Sequence, residues 1–173
     1  MHMKVTLKDV RKMVNMGFFV DVPQPEFCYH YSTKENIEKI LQDGKVRTMG
    51  DYMTFFFYTP EDIPKYLDLT GALTTGRKYY GFDGKIHKAP PIVPENCAVL
   101  KLYPTRKESL MWYEERNQDK AKTEAEKELA QMFDAIRVLH YGDFSFKREP
   151  EIIELSEIIS KYPYSRPEHL KPH

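Results

Sequence analysis

Phe27-Cys28-Tyr29-His30-Tyr31-Ser32-Thr33-Lys34-Glu35-Asn36-Ile37 changes character in its middle. Its first six residues are aromatic-rich and read as a strand over Phe27 to Ser32. Ser32-x-x-Glu35 is a capping-box pattern: the serine caps the third backbone N–H and the glutamate reaches back. Ile37, Ile40 and Leu41 then repeat with helical spacing, and Gly44 is a natural stop. The stretch therefore predicts a strand that runs directly into a helix. His30 falls at the strand's end, next to a hydroxyl and to helix-start N–H groups that favour anions.

Downstream, Met53-Thr54-Phe55-Phe56-Phe57-Tyr58-Thr59 is the most aromatic run in the chain. It is short for a helix and reads as a central strand. Alternation puts Phe55, Phe57 and Thr59 on one face and Phe56 and Tyr58 on the other. Pro60-Glu61-Asp62 opens another helix with Thr59 as its cap; Ile63, Tyr66 and Leu67 form its inner face. Residues 71–96 have no clean period and read as a long loop with a short hairpin around Asp83-Gly84. Cys97 to Tyr103 is a strand. Glu124 to Leu139 reads as one helix, with Leu129, Met132, Phe133, Ile136 and Leu139 on a stripe. Phe144 to Phe146 and Ile152 to Leu155 are strand-like.

Upstream, Thr6 caps a helix reaching Met16, with Asp9 at the third position and Leu7, Val10, Met13 and Val14 on one face. Phe18 to Pro25 reads as a connector. One domain over residues 1–173 is expected: residues 1–26 are an N-terminal helix and connector, and residues 161–173 a proline-rich, extended or disordered tail.

Composition narrows the function classes. A hydrophobic content of 41% with 30% charged residues is globular, and 26 basic against 26 acidic residues leaves no global field for nucleic acid or membrane. Cys28 and Cys97 form no C-x-x-C and no disulfide framework, which points to a reducing compartment and buried thiols. No apolar run approaches a membrane span, and the start lacks a signal-peptide pattern, so a cytoplasmic protein is expected. There is no metal-ligand spacing and no Walker or Rossmann glycine pattern.

Three stretches carry chemistry. Tyr29-His30-Tyr31-Ser32 offers an imidazole and a hydroxyl beside a helix start, suited to ribose hydroxyls and phosphates. A tyrosine of the Phe55–Thr59 strand can stack on a planar heterocycle. Glu149-Pro150-Glu151-Ile152-Ile153 places carboxylates two apart at a strand start, where one can stabilise a cationic, oxocarbenium-like transition state. Each has a plain structural alternative: a packed histidine, a sheet core, a solvated acidic edge.

Taken in order, the three motifs resemble the ADP-ribosyltransferase superfamily in its His–Tyr–Glu branch, the diphtheria-toxin, PARP-like and DarT-like enzymes. There Tyr-His-Gly-Thr precedes a helix ending Ile-x-x-Gly. Tyr29-His30-Tyr31-Ser32 and Ile40-Leu41-Gln42-Asp43-Gly44 follow that layout, with Tyr31 in place of glycine. Phe56-Phe57-Tyr58-Thr59-Pro60 is similar to the DarT-type second strand. The resemblance covers residues 27–67 well and 144–155 loosely.

The resemblance implies an α+β fold with an ADP-ribosyltransferase-like split β-sheet and flanking helices, NAD as substrate, and a mono-ADP-ribosyltransferase activity toward a macromolecular acceptor. It implies that His30 holds the adenosine-side ribose, Ser32 the nicotinamide-side ribose and the Tyr31 backbone the nicotinamide amide. Tyr58 would stack on nicotinamide, with Tyr66 and Arg47 as further NAD contacts. Glu151 would stabilise the oxocarbenium, with Glu149 as the reserve or as an acceptor contact. A nucleic-acid acceptor is suggested by the basic, aromatic-interleaved stretch from Arg77 to Lys107, with Arg77, Lys78 and Tyr80 as contacts; a protein acceptor stays open. Rival readings are a non-transferring nucleotide- or partner-binding module of the same fold, an NAD-dependent RNA 2′-phosphotransferase, and a nuclease using His30, His87 or His140.

Overall fold

The computed structural model describes residues 5–48, 52–80 and 83–171, without the side chains of Tyr79 and Tyr80. In chain order it runs α1 (Leu7–Asn15), β1 (Phe19–Asp21), β2 (Cys28–Thr33), α2 (Lys34–Asp43), β3 (Lys45–Val46), β4 (Met53–Phe57), α3 (Asp62–Thr70), β5 (Lys78–Tyr80) and β6 (Ile86–Lys88). There follow β7 (Cys97–Leu102), β8 (Trp112–Glu115), α4 (Glu124–Asp134), β9 (Arg137–Tyr141), β10 (Phe144–Ser145), β11 (Glu151–Glu154) and α5 (Leu155–Lys161).

Seven strands form one sheet in the order β1-β8-β9-β4-β2-β7-β11, and every pairing in it is antiparallel. The sheet is nearly divided. β2 pairs with β7 over six residues and β4 with β9 over five, but β2 meets β4 through one register pair, Tyr29↔Phe57. The α+β class with a split sheet and flanking helices is thus what the chain adopts.

Both faces of the sheet are covered. On one, Cys28, Phe56, Ala98, Leu100 and Val138 pack against Ile37 and Ile40 of α2 and against Val46 and Phe144 of the β3–β10 pair. On the other, Tyr29, Phe57 and Val99 pack against Ile63, Tyr66 and Leu67 of α3 and Leu155 and Ile158 of α5. The same face continues toward α1, where Val10 meets Met53, Tyr113 and Leu139. The split in the sheet therefore lies between two filled layers. Cys28 and Cys97 are buried free thiols, as expected.

Several local expectations hold in detail. Thr6 caps α1 with a reciprocal capping box to Asp9, Gly44 ends α2 in the left-handed region at φ 68°, and β5 and β6 form the hairpin expected near Asp83-Gly84. Other expectations are corrected. The cap of α2 is Thr33, which accepts from the Asn36 N–H at 3.2 Å, while Ser32 Oγ accepts from the Asn36 side chain at 2.8 Å. Glu61, not Thr59, precedes the first residue of α3.

The expected 124–139 helix stops at Asp134, and Arg137–Tyr141 is β9. Ile136 and Leu139 continue the helical stripe by spacing alone, yet pairing with all five residues of β4 outweighs that local preference. The 18–25 connector holds β1, which pairs with the unforeseen β8. The C-terminal stretch has no helix or strand over 163–167, in keeping with an extended tail, and it is docked: Leu170 is buried and Arg166 pairs with Asp68 at 3.0 Å. No helix of the described residues is long and apolar enough to cross a membrane.

Candidate functional site

The seam between β2 and β4 organises the site. Past Tyr29↔Phe57 the backbone ladder stops, and the His30 side chain takes over. Its Nδ1 lies 3.2 Å from the Phe55 carbonyl oxygen, and its ring packs 5.7 Å from that of Phe56. A carbonyl only accepts, so Nδ1 carries the proton and donates. Burial pulls the His30 pKa below its ordinary 6.5, against a smaller opposing pull from the carbonyl bond. The ring is therefore neutral at pH 7, and Nε2 is left as an acceptor. Ser32 shares the face of His30 by strand alternation, with its hydroxyl held by Asn36.

Tyr31 points to the opposite face and builds an aromatic cluster there. Its ring lies 6.0 Å from Phe57 and 6.3 Å from Tyr66, and the latter two are 5.1 Å apart. Two guanidinium groups reach this cluster. Arg77 Nη1 donates to the Tyr66 hydroxyl at 3.2 Å. The Arg137 Cζ lies 4.7 Å from the centre of the Phe55 ring and 5.3 Å from that of Tyr66. Arg137 Nη2 donates to Glu115 at 2.7 Å. Burial pushes the Tyr31 phenol up, and Arg77 and Arg137 pull it partly back. Both cations thus meet at Tyr66.

The structure brings His30, Ser32, Tyr31, Tyr66 and Arg77 to the seam region, on its two faces. It places the other expected residues elsewhere. Tyr58 lies past the closed end of the seam, where its hydroxyl donates to Glu114 at 2.9 Å; burial and then that bond push its pKa up. It lines an open cavity of about 560 Å³ with Val22, Gln24, Glu26, Phe27 and Glu114. Arg47 follows β3 on the exposed side and pairs with Asp43 at 3.1 Å.

Glu151 starts β11 and accepts from the Tyr103 hydroxyl, with Lys101 Nζ at 3.9 Å. It sits in the row Tyr29–Lys101–Glu151, and His30 is in the next row, so the two side chains leave opposite faces of the sheet. Two strand spacings put Glu151 about 10 Å from β2. Glu149 is exposed and precedes the strand. Lys78 is exposed on the β5–β6 hairpin, and the Tyr80 side chain lies outside the described residues. Among the described residues there is no group of three or more His, Cys, Asp or Glu side chains that could hold a metal ion.

Phe55, Glu115 and Arg137 were not foreseen. Arg137 was hidden by the helical reading of residues 124–139. A strand reading of Arg-Val-Leu-His-Tyr would have placed it on the same side as Leu139 and Tyr141.

No sequence-family profile matches the chain, and no curated protein matches it by sequence. Among solved structures it is similar to Thermus sp. 2.9 DarT in complex with carba-NAD+, at 16% identity and a TM-score of 0.38, covering 84% of this chain and 94% of that one. The same protein in complex with NAD+ matches at 15% identity and the same TM-score of 0.38, covering 84% and 93%. At this TM-score the likeness carries no functional weight.

Proposed function

We propose that the protein binds NAD across the β2–β4 seam and transfers its ADP-ribose to a macromolecular acceptor. The observation that carries the reading is the 3.2 Å contact between His30 Nδ1 and the Phe55 carbonyl oxygen: the tautomer that contact selects presents Nε2 as an acceptor for a ribose hydroxyl. Ser32 adds a hydroxyl on the same face. The Tyr-His-Tyr-Ser motif, the helix after it and the split sheet stand in the order the sequence resemblance implies.

In the reaction the glycosidic C–N bond to nicotinamide breaks, and nicotinamide leaves as a neutral ring with the bonding pair. The ribosyl cation is then captured by an acceptor nucleophile, which loses its proton. The departing ring is already cationic in NAD, so the protein's task is to bind, orient and stabilise charge. Tyr31 and Tyr66 supply aromatic surface for a planar ring.

The β5–β6 hairpin fits a nucleic-acid acceptor. Lys78 stands directly opposite Lys88, and both are exposed. Like charges facing each other across strands destabilise a hairpin, and a phosphate backbone relieves that repulsion.

A second reading, nucleotide binding without transfer, is favoured by one observation: Glu151 is already tied to Tyr103 and Lys101. Two measurements separate the readings. Titration calorimetry with a non-hydrolysable NAD analogue should give micromolar binding to the wild type that His30→Ala weakens; absence of binding to the wild type would remove both. Incubation with labelled NAD and candidate DNA, RNA and protein acceptors should then give label transfer that Glu151→Gln abolishes. Binding with no nicotinamide release would leave the non-transferring reading.

A further inference from the structure

We infer that Arg137 holds a phosphate group of the bound nucleotide, an inference that rests on the NAD reading above. Arg137 is a side chain fixed before any ligand arrives. It leaves β9 opposite Phe57, its guanidinium lies over the rings of Phe55 and Tyr66, and Glu115 holds Nη2 at 2.7 Å. Glu115 is itself braced by Asn117, whose amide donates to the same oxygen at 3.3 Å. The side chain is 15% exposed.

Within this setting Arg137 Nε is buried and has no hydrogen-bond partner. Buried N–H groups are nearly always paired, by protein, by water or by a ligand, so Arg137 Nε has a bond to give. That acceptor is anionic by its surroundings. Arg77 reaches the same tyrosine that Arg137 covers, and both cations act on Tyr31. A phosphate has several oxygens in a tetrahedral array and takes donors from two guanidinium groups at once, which a single carbonyl cannot. Glu115 keeps the fork oriented and offsets its charge. Arg47, the arginine singled out from sequence, lacks this setting: its side chain is 59% exposed and paired to Asp43.

The test uses the full chain and three probes: ADP-ribose and nicotinamide mononucleotide, which carry phosphate, and nicotinamide riboside, which does not. Wild type, Arg137→Gln and Arg137→Lys are compared by calorimetry, with thermal melts to confirm folding. The expected result is a loss of about tenfold or more for the phosphate-bearing ligands in Arg137→Gln, the scale of one charge-assisted hydrogen bond, and no change for the riboside. Should the Gln variant unfold, Arg137→Lys carries the comparison: it keeps the charge without the fork, so phosphate ligands weaken and the riboside does not. Equal loss for the riboside, or unchanged phosphate binding in a folded variant, overturns the inference and leaves the NAD reading standing. Failure of the wild type to bind any of the three overturns the NAD reading, and the inference falls with it.

Discussion

Lowering the pH should cost this fold stability through one imidazole. Burial holds the His30 pKa below its ordinary 6.5, so between 6.5 and the lower folded value the unfolded chain binds a proton that the native chain does not. Stability is then fully present above about pH 6.5 and falls as the pH drops through that window. One unit into it the loss is at most about 1.4 kcal/mol, or roughly 3–6 °C in Tm for a domain of this size. The comparison variant is His30→Gln, which keeps a donor for the Phe55 carbonyl and removes the titration. Urea unfolding of both proteins at pH 7.5 and 5.5 gives a difference of differences in which His87, His140 and His169 cancel. Wild type should lose up to about 1.4 kcal/mol more than the variant over that step. An identical pH response would refute the burial-depressed pKa of His30.

Three further outcomes follow from the same packing. Phe56 is 0% exposed and touches the rings of His30, Trp112 and Phe144, so Phe56→Ala should cost about 3–5 kcal/mol in denaturant unfolding. Gly76 has φ +89°, and a Cβ there would stand 2.0 Å from the Ala89 carbonyl oxygen; Gly76→Ala should cost at least ~1–3 kcal/mol and raise amide exchange in the β5–β6 hairpin, whereas an unchanged exchange pattern would contradict that geometry. Short single-stranded oligonucleotides should bind with a steep inverse salt dependence that becomes shallower in Lys78→Ala, and salt-insensitive binding would count against the hairpin as an acceptor contact.

Sequence carried the elements whose local signals agree with their tertiary role. The Thr6–Asp9 box, the aromatic β2 and β4, and Gly44 each have a short-range cause, so each was legible. The seam was foreseen only through the resemblance, because nothing in Tyr29-His30-Tyr31 says where a ladder stops. The Glu124–Leu139 reading failed where a helical stripe met a stronger sheet partner. That failure also hid Arg137, whose value comes from Phe55, Tyr66 and Glu115 meeting it from three other elements. Glu151 and Tyr58 were singled out by motif order, which is blind both to the face a side chain leaves and to its place along the strand: Glu151 leaves the face away from His30, and Tyr58 shares the His30 face but lies past the closed end of the seam.

The single-pair seam has a consequence for how the molecule is put together. β1, β8, β9 and β4 lie on one side of it, and β2, β7 and β11 on the other. The chain steps across from β1 to β2, returns for β4, crosses to β7, returns for β8 and β9, and crosses again to β11. It is stitched back and forth over its weakest ladder. Neither side is a continuous segment, so no single cut yields a fragment with a complete half-sheet. The lacing keeps the two sides from parting. Assembly, for its part, must wait for contacts between distant parts of the chain, which predicts slow folding.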